Sequence, residues 1–144
     1  MVATIHVTFD CADPARLASF WAEALGYQLR PPPDGFASWE DWLRDQQVPE
    51  AAWNSRSAVV DPSGAGPRLL FMQVPEPKAG KNRVHLDVSV GGGHDTPVEQ
   101  RRERVAATVE RLVVAGGTRL RAVDEHDEHW VVMADPEGNE FCVT

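Results

Sequence analysis

The 144-residue sequence contains no apolar run approaching the roughly 18 residues that a membrane-spanning helix needs. Nor does it open like a secretory leader, because residues 1–6 lack a basic start followed by an apolar stretch. Cysteine is scarce. Cys11 and Cys142 each sit inside an apolar stretch, and they read as buried free thiols of a cytoplasmic protein rather than as a disulfide. Cations are few as well: Lys plus Arg number 14 against 22 Asp plus Glu, a net charge of −8. That balance argues against a dedicated nucleic-acid binder, which needs concentrated positive charge, and against docking on anionic lipid. No phosphate loop, nucleophile elbow, paired CxxC or HExxH pattern occurs.

What is present is ordinary for one globular domain: 42% hydrophobic and 25% charged residues. Glycine and proline, 11 each, fall at turns. Residues 4–10 alternate strictly, with Ile5, Val7 and Phe9 on one face and Thr4, His6, Thr8 and Asp10 on the other, which predicts a half-buried strand. Asp13-Pro14 predicts an N-cap and first helical position, Leu17, Phe20, Trp21 and Leu25 an apolar stripe, and Gly26 a stop. A short strand over 27–29 ends at Pro31, and Ser38 opens a short helix within an insertion that carries Trp39, Trp42 and Trp53. Strands follow over 58–60 and 68–74, then a Pro- and Lys-containing linker at 75–81.

The plan then repeats. Residues 83–90 predict a strand with His85, Asp87 and Ser89 on one face and Val84, Leu86, Val88 and Val90 on the other. Thr96-Pro-Val-Glu99 reads as a capping box before a helix with apolar Val105, Val109, Leu112 and Val113, stopped by Gly116-Gly117. Strands over 118–123, 130–133 and 140–143 complete the second half. A strand precedes Asp-Pro-Ser-Gly at 61–64 and again Asp-Pro-Glu-Gly at 135–138, while His6 and His85 occupy matching places in their strands. The expected architecture is α+β: one domain, 1–144, of two paired βαβββ modules (1–77 and 78–144) forming a cupped mixed sheet around a cleft.

These residues resemble the vicinal oxygen chelate superfamily, which includes glyoxalase I, extradiol dioxygenases and bleomycin-resistance proteins. The resemblance rests on the His6-Val7 opening, Asp13 seven residues on, Leu25-Gly26-Tyr27 closing the helix, and Asp135-Pro-Glu-Gly-Asn139. Lys81-Asn-Arg-Val-His-Leu-Asp87 is similar to the glyoxalase-like members. In metal-dependent relatives, histidines or glutamines and two glutamates from the first and last strand of each module hold a divalent ion. Carried onto this sequence, the resemblance implies His6, Gln73, His85 and Cys142, with Glu140 as the substitute if the register shifts. The usual carboxylate pair is missing from those places, so a set of this kind suits a borderline ion such as zinc rather than an oxygen-rich octahedron.

The expected function is binding of a hydrophobic or aromatic small molecule, by sequestration or with metal-free acid–base chemistry. His6 and His85 are the catalytic candidates, and Asp87 (like Asp10 beside His6) would orient its histidine. Trp39, Trp42, Trp53, Gln73 and Trp130 are the expected ligand-binding wall. The alternative is a metal-dependent lyase, isomerase or dioxygenase with His6 and His85 as ligands. The cofactor is therefore none or a divalent metal, and whether the protein is an enzyme stays open here. The partner expected is a small molecule, not nucleic acid or membrane, with pairing of two chains a third reading. The acidic run at 124–129 reads as a solvated hairpin connection.

Overall fold

The computed structural model describes residues 1–126 and 128–144. They form two compact units, one of Met1–Ala22 with Gly26–Pro77 and the other of Glu23–Leu25 with Lys78–Thr144.

In the first unit, β1 (Val7–Cys11), β2 (Gln28–Leu29), β3 (Arg56–Val60) and β4 (Leu69–Gln73) make a sheet of order β1-β4-β3-β2. β1 runs parallel to β4, and the other pairs are antiparallel. The helix α1 (Pro14–Leu25) is capped by Asp13, whose carboxylate accepts from the Arg16 amide, and stops at Gly26 in the left-handed region. Leu17, Phe20 and Trp21 are fully buried with Phe71, Leu69 and Val59, and Phe9 bridges Trp21 and Phe71 at ring-centroid distances of 5.1 and 5.4 Å. This apolar layer supplies the unit's main stabilisation. Ser38 caps α2 (Trp39–Asp45), and a 3₁₀ segment (Glu50–Ser55) leads into β3.

The second unit repeats this wiring. β5 (Asp87–Val88), β6 (Thr118–Glu125), β7 (Glu128–Ala134) and β8 (Glu140–Val143) lie in the order β5-β8-β7-β6, again with the first and last strands parallel. The helix α3 (Val98–Val114) buries Val105, Val109 and Leu112, and Val88, Val131, Met133, Phe141 and Val143 are buried on one side of the sheet. Mixed α+β architecture with two four-stranded sheets of matching order is thus what the repeat encodes. The duplicated turns match atom for atom in type. Gly64 and Gly138 both sit at positive φ with their amides bonded to the Asp61 and Asp135 carbonyls, and each aspartate's side chain accepts the amide two residues on.

Several expectations are corrected. β1 begins at Val7, where the amide first meets the Arg68 carbonyl, so His6 precedes the strand. β5 is two residues, not eight, because its partner β8 offers only four residues after the turn. Isolated bonds from Cys142 to Leu86 and from Val90 to Thr144 continue the ladder, and His85 also precedes its strand. The capping box at 96–99 does not form: Pro97 takes the cap position without a side-chain bond, and the Thr96 amide closes a turn onto the Gly93 carbonyl. Val113 is half exposed rather than core. The 124–129 run is mostly ladder, since Asp124 pairs with His129 and Glu125 with Glu128, while Asp127 lies outside the described residues.

Candidate functional site

The parallel β5–β8 register places Asp87 directly opposite Cys142. Side chains two apart on a strand share a face, so Glu140 lies on the Cys142 side of β8. His85 brings its Nε2 to 3.4 Å from an Asp87 carboxylate oxygen. His85, Asp87 and Cys142 thereby each offer a ligand atom within 4.8 Å of the others. The imidazole and carboxylate are exposed, whereas Cys142 is only 7% exposed. Burial pushes the Cys142 thiol up, and the Asp87 charge and its hydrogen bond with the thiol act in the same direction, against a weaker opposing pull from Arg121. In the neutral thiol the S–H donates and the carboxylate accepts.

Apolar groups flank this polar centre. Val132 pairs with Cys142 and Ala134 with Glu140 on the β7–β8 ladder, and the alternation puts half-buried Trp130 on the same face. Glu140 is not free to join the centre, because Lys81 binds its carboxylate and holds it below the usual range.

The first unit carries no equivalent. Thr8 pairs with Leu70 where Asp87 pairs with Cys142, so the matching ladder position holds an apolar side chain. His6 is exposed ahead of β1. Gln73 is the clearest departure from the sequence reading. It pairs with Cys11 and shares the side of buried Leu69 and Phe71, opposite Thr8 and Asp10, and its amide donates to the Ala12 carbonyl at 3.1 Å. The alternation Leu69-Phe71-Gln73 is the signal that would have shown this.

The insertion tryptophans are held locally. Trp39 donates its indole N–H to the Arg30 carbonyl at 2.7 Å and meets Trp42 edge-on at 5.5 Å. Trp53 donates to the Val48 carbonyl at 2.9 Å, with the Arg44 guanidinium over its ring. These contacts tie the insertion down. At the hairpin end of β6 and β7, Asp124 is taken up by Arg102 at 2.7 Å and His129 at 2.9 Å.

Residues 6–144 match the family described as the glyoxalase-like domain. The chain belongs to that family. Solved structures of the same fold include a glyoxalase/bleomycin resistance protein/dioxygenase family enzyme from Burkholderia phytofirmans (17% identical, 96% of this chain and 94% of that one, TM-score 0.59). A glyoxalase-related enzyme from Fulvimarina pelagi is 20% identical over 99% of this chain and 86% of its own, with a TM-score of 0.60. A variant of the fosfomycin resistance protein FosX from Listeria monocytogenes, solved with Mn(II) and a dihydroxypropylphosphonic acid, is 12% identical over 99% and 90% (TM-score 0.60). No curated protein matches the sequence.

The donors decide how a glyoxalase-like chain of this sequence could meet a metal. Within the first unit Gln73 lies on the sheet face opposite Thr8 and Asp10 and is bonded to Ala12; within the second, Cys142 stands where the resemblance implies a carboxylate, and Glu140 is bound by Lys81. A nitrogen, an oxygen and a sulfur donor do converge in the second unit. Among the described residues, no helix is long and apolar enough to cross a membrane.

Proposed function

We propose that this glyoxalase-like protein binds a small, neutral, oxygen-bearing aromatic or hydrophobic molecule against the β5–β8 face of its second unit. The observation that carries the reading is the convergence of His85, Asp87 and Cys142 on the strand face of half-buried Trp130, with Val132 and Ala134 buried along it. A few polar groups on an apolar wall are what orient a small ligand. With Nε2 turned to Asp87, the His85 Nδ1 faces away to accept a ligand proton, and the carboxylate steadies the imidazolium that results. The Asp87 carboxylate disfavours an anion directly beside His85. Capture without chemistry and acid–base turnover use the same contacts.

A second reading is favoured by the 4.8 Å spacing of the three donors: the same centre holds a divalent ion and belongs to a metal-dependent reaction. The three side chains would then supply the ligands and the ion a Lewis acid.

The test is a titration of metal-free protein with oxygenated aromatic compounds, followed by amide and imidazole NMR shifts. Saturable shifts centred on His85, Asp87, Trp130 and Cys142, abolished in His85→Ala, are expected. Shifts confined to other residues, or unchanged in His85→Ala, would overturn the proposal.

A further inference from the structure

We infer that two copies of this chain join through their second units, β6 lying antiparallel against β6 about a two-fold axis through Val123. The inference does not depend on the ligand assigned to the Trp130 face, although the second copy extends that face.

The free edge supplies the first argument. β6 is the longest strand described, ends its sheet, and pairs with β7 alone among the described residues. Every residue from Thr118 to Glu125 is exposed except half-buried Val123. An edge of this kind offers its outward N–H and C=O groups to another strand. The register shift between Arg119 and Arg121 interrupts it, so the regular stretch open to pairing is Arg121–Glu125.

Charge order supplies the second. The strand carries Arg119 and Arg121 before its midpoint and Asp124 and Glu125 after it. Run antiparallel against itself, it brings its basic half to the acidic half of the other copy. A two-fold axis perpendicular to the sheet keeps each face with itself, so only residues an even number apart can stand opposite one another. Centring on Val123 sets Arg121 opposite Glu125 of the second copy, twice by symmetry, and Ala122 opposite Asp124. A centre at Ala122 puts Arg121 against Val123 and loses both ion pairs. Centres at Arg121 or Asp124 set like charges together, which destabilises a cross-strand pair. The two side chains are available: Arg121 is exposed and in no salt bridge among the described residues, and Glu125 meets only exposed His126 at 3.5 Å.

Continuity with the candidate site supplies the third. Arg121, Val123 and Glu125 pair with Val132, Trp130 and Glu128, so they share the Trp130 face. Across the axis the order Trp130, Val123, Val123, Trp130 makes one apolar strip, the two Trp130 backbones three strand spacings or about 14 Å apart. Each ligand face thereby gains a wall from the second copy.

A ladder of five residues buries an area at the low end of specific interfaces, below about 1,200 Å², which suits a reversible dimer. Association closes at two, because the axis uses the β6 edge of both copies.

The experiment is sedimentation velocity of the full chain from micromolar to millimolar concentration, where a monomer–dimer equilibrium is expected. Backbone amides of β6 turned away from β7 should exchange more slowly as the dimer fills. Arg121→Glu or Glu125→Arg alone sets like charges together at two places and should weaken association by at least about tenfold. Both side chains are exposed, and thermal unfolding of the dilute variants checks that they fold. Combining the two substitutions in one chain should restore the dimer. Mixing the two single variants should give a one-to-one heterodimer by native mass spectrometry. A chain that stays monomeric at millimolar concentration, a dimer indifferent to the single reversals, or a mixture that does not associate would overturn the inference. Outward β6 amides protected in a monomeric chain would also overturn it, since another strand would then hold the edge.

Discussion

Asp87 and Cys142 face each other across the parallel β5–β8 ladder, and the aspartate's charge adds to burial in pushing the Cys142 thiol up. In metal-free Asp87→Asn, the loss of the adjacent charge should move Cys142 alkylation to lower pH, with burial still keeping it above an ordinary thiol. Peptide mapping by mass spectrometry reads Cys142 separately from Cys11. An unchanged or upward-shifted profile would contradict the pairing. The linkage has a definite sign. Because the folded thiol's value is raised, its contribution to stability is full below the unfolded thiol's value and is lost as pH rises through the folded one. Cys142→Ala should therefore flatten the alkaline fall in stability.

Asp135, 3% exposed, organises the second turn by accepting from the Glu137 and Asn139 amides and from the Asn139 side chain. Asp135→Ala leaves those partly buried donors without their acceptor, and a loss of about 1–3 kcal/mol in urea unfolding is expected. The matching Asp61→Ala change should cost less, because its turn is open to water.

Gly66 is required chiefly by the Tyr27 side chain, with the Asp61 carboxylate a second close neighbour at 3.1 Å. A Cβ there would stand 1.9 Å from the Tyr27 hydroxyl oxygen and 3.0 Å from its Cζ. Gly66→Ala should lower stability by about 1–3 kcal/mol. Adding Tyr27→Phe should recover part of that, and Tyr27→Ala should recover most of it in a double-mutant cycle, the remainder coming from the Asp61 carboxylate. Additive losses in both cycles would place the strain elsewhere.

Asp13 caps α1 and also accepts from the Asn54 side chain at 2.8 Å, which holds its carboxyl below the usual carboxylate range. Asp13→Ala should cost about 1 kcal/mol near neutral pH. A lowered folded value means the contribution is present above the unfolded carboxyl's value and disappears as pH falls through the folded one. The gap between wild type and variant should close in acid, and a constant gap from neutral to acid pH would show that the cap acts through packing instead.

Local chemistry made much of this fold readable. Asp13-Pro14 and Gly26 bracket α1, Ser38 caps α2, and the two Asp-Pro-x-Gly turns repeat with their glycines at positive φ. Those are decisions taken over three or four residues by hydrogen bonds a side chain makes to its own backbone. The lengths of β1 and β5 were not readable in the same way, because a strand ends where its partner stops offering bonds, and that partner lies 62 residues away for β1 and 55 for β5.

The candidate site divides along the same line. The scarcity of positive charge, the absence of long apolar runs and the duplicated strand–turn signature belong to the sequence alone, since composition and period need no partner to be counted. His85, Asp87 and Cys142 were each visible as residues of the right chemistry. Their meeting within 4.8 Å, the turning of Gln73 towards Ala12 and the capture of Glu140 by Lys81 were decided by tertiary register. A one-residue difference in pairing reverses which face a side chain takes, and the alternation of a single strand cannot say which neighbour will stand opposite.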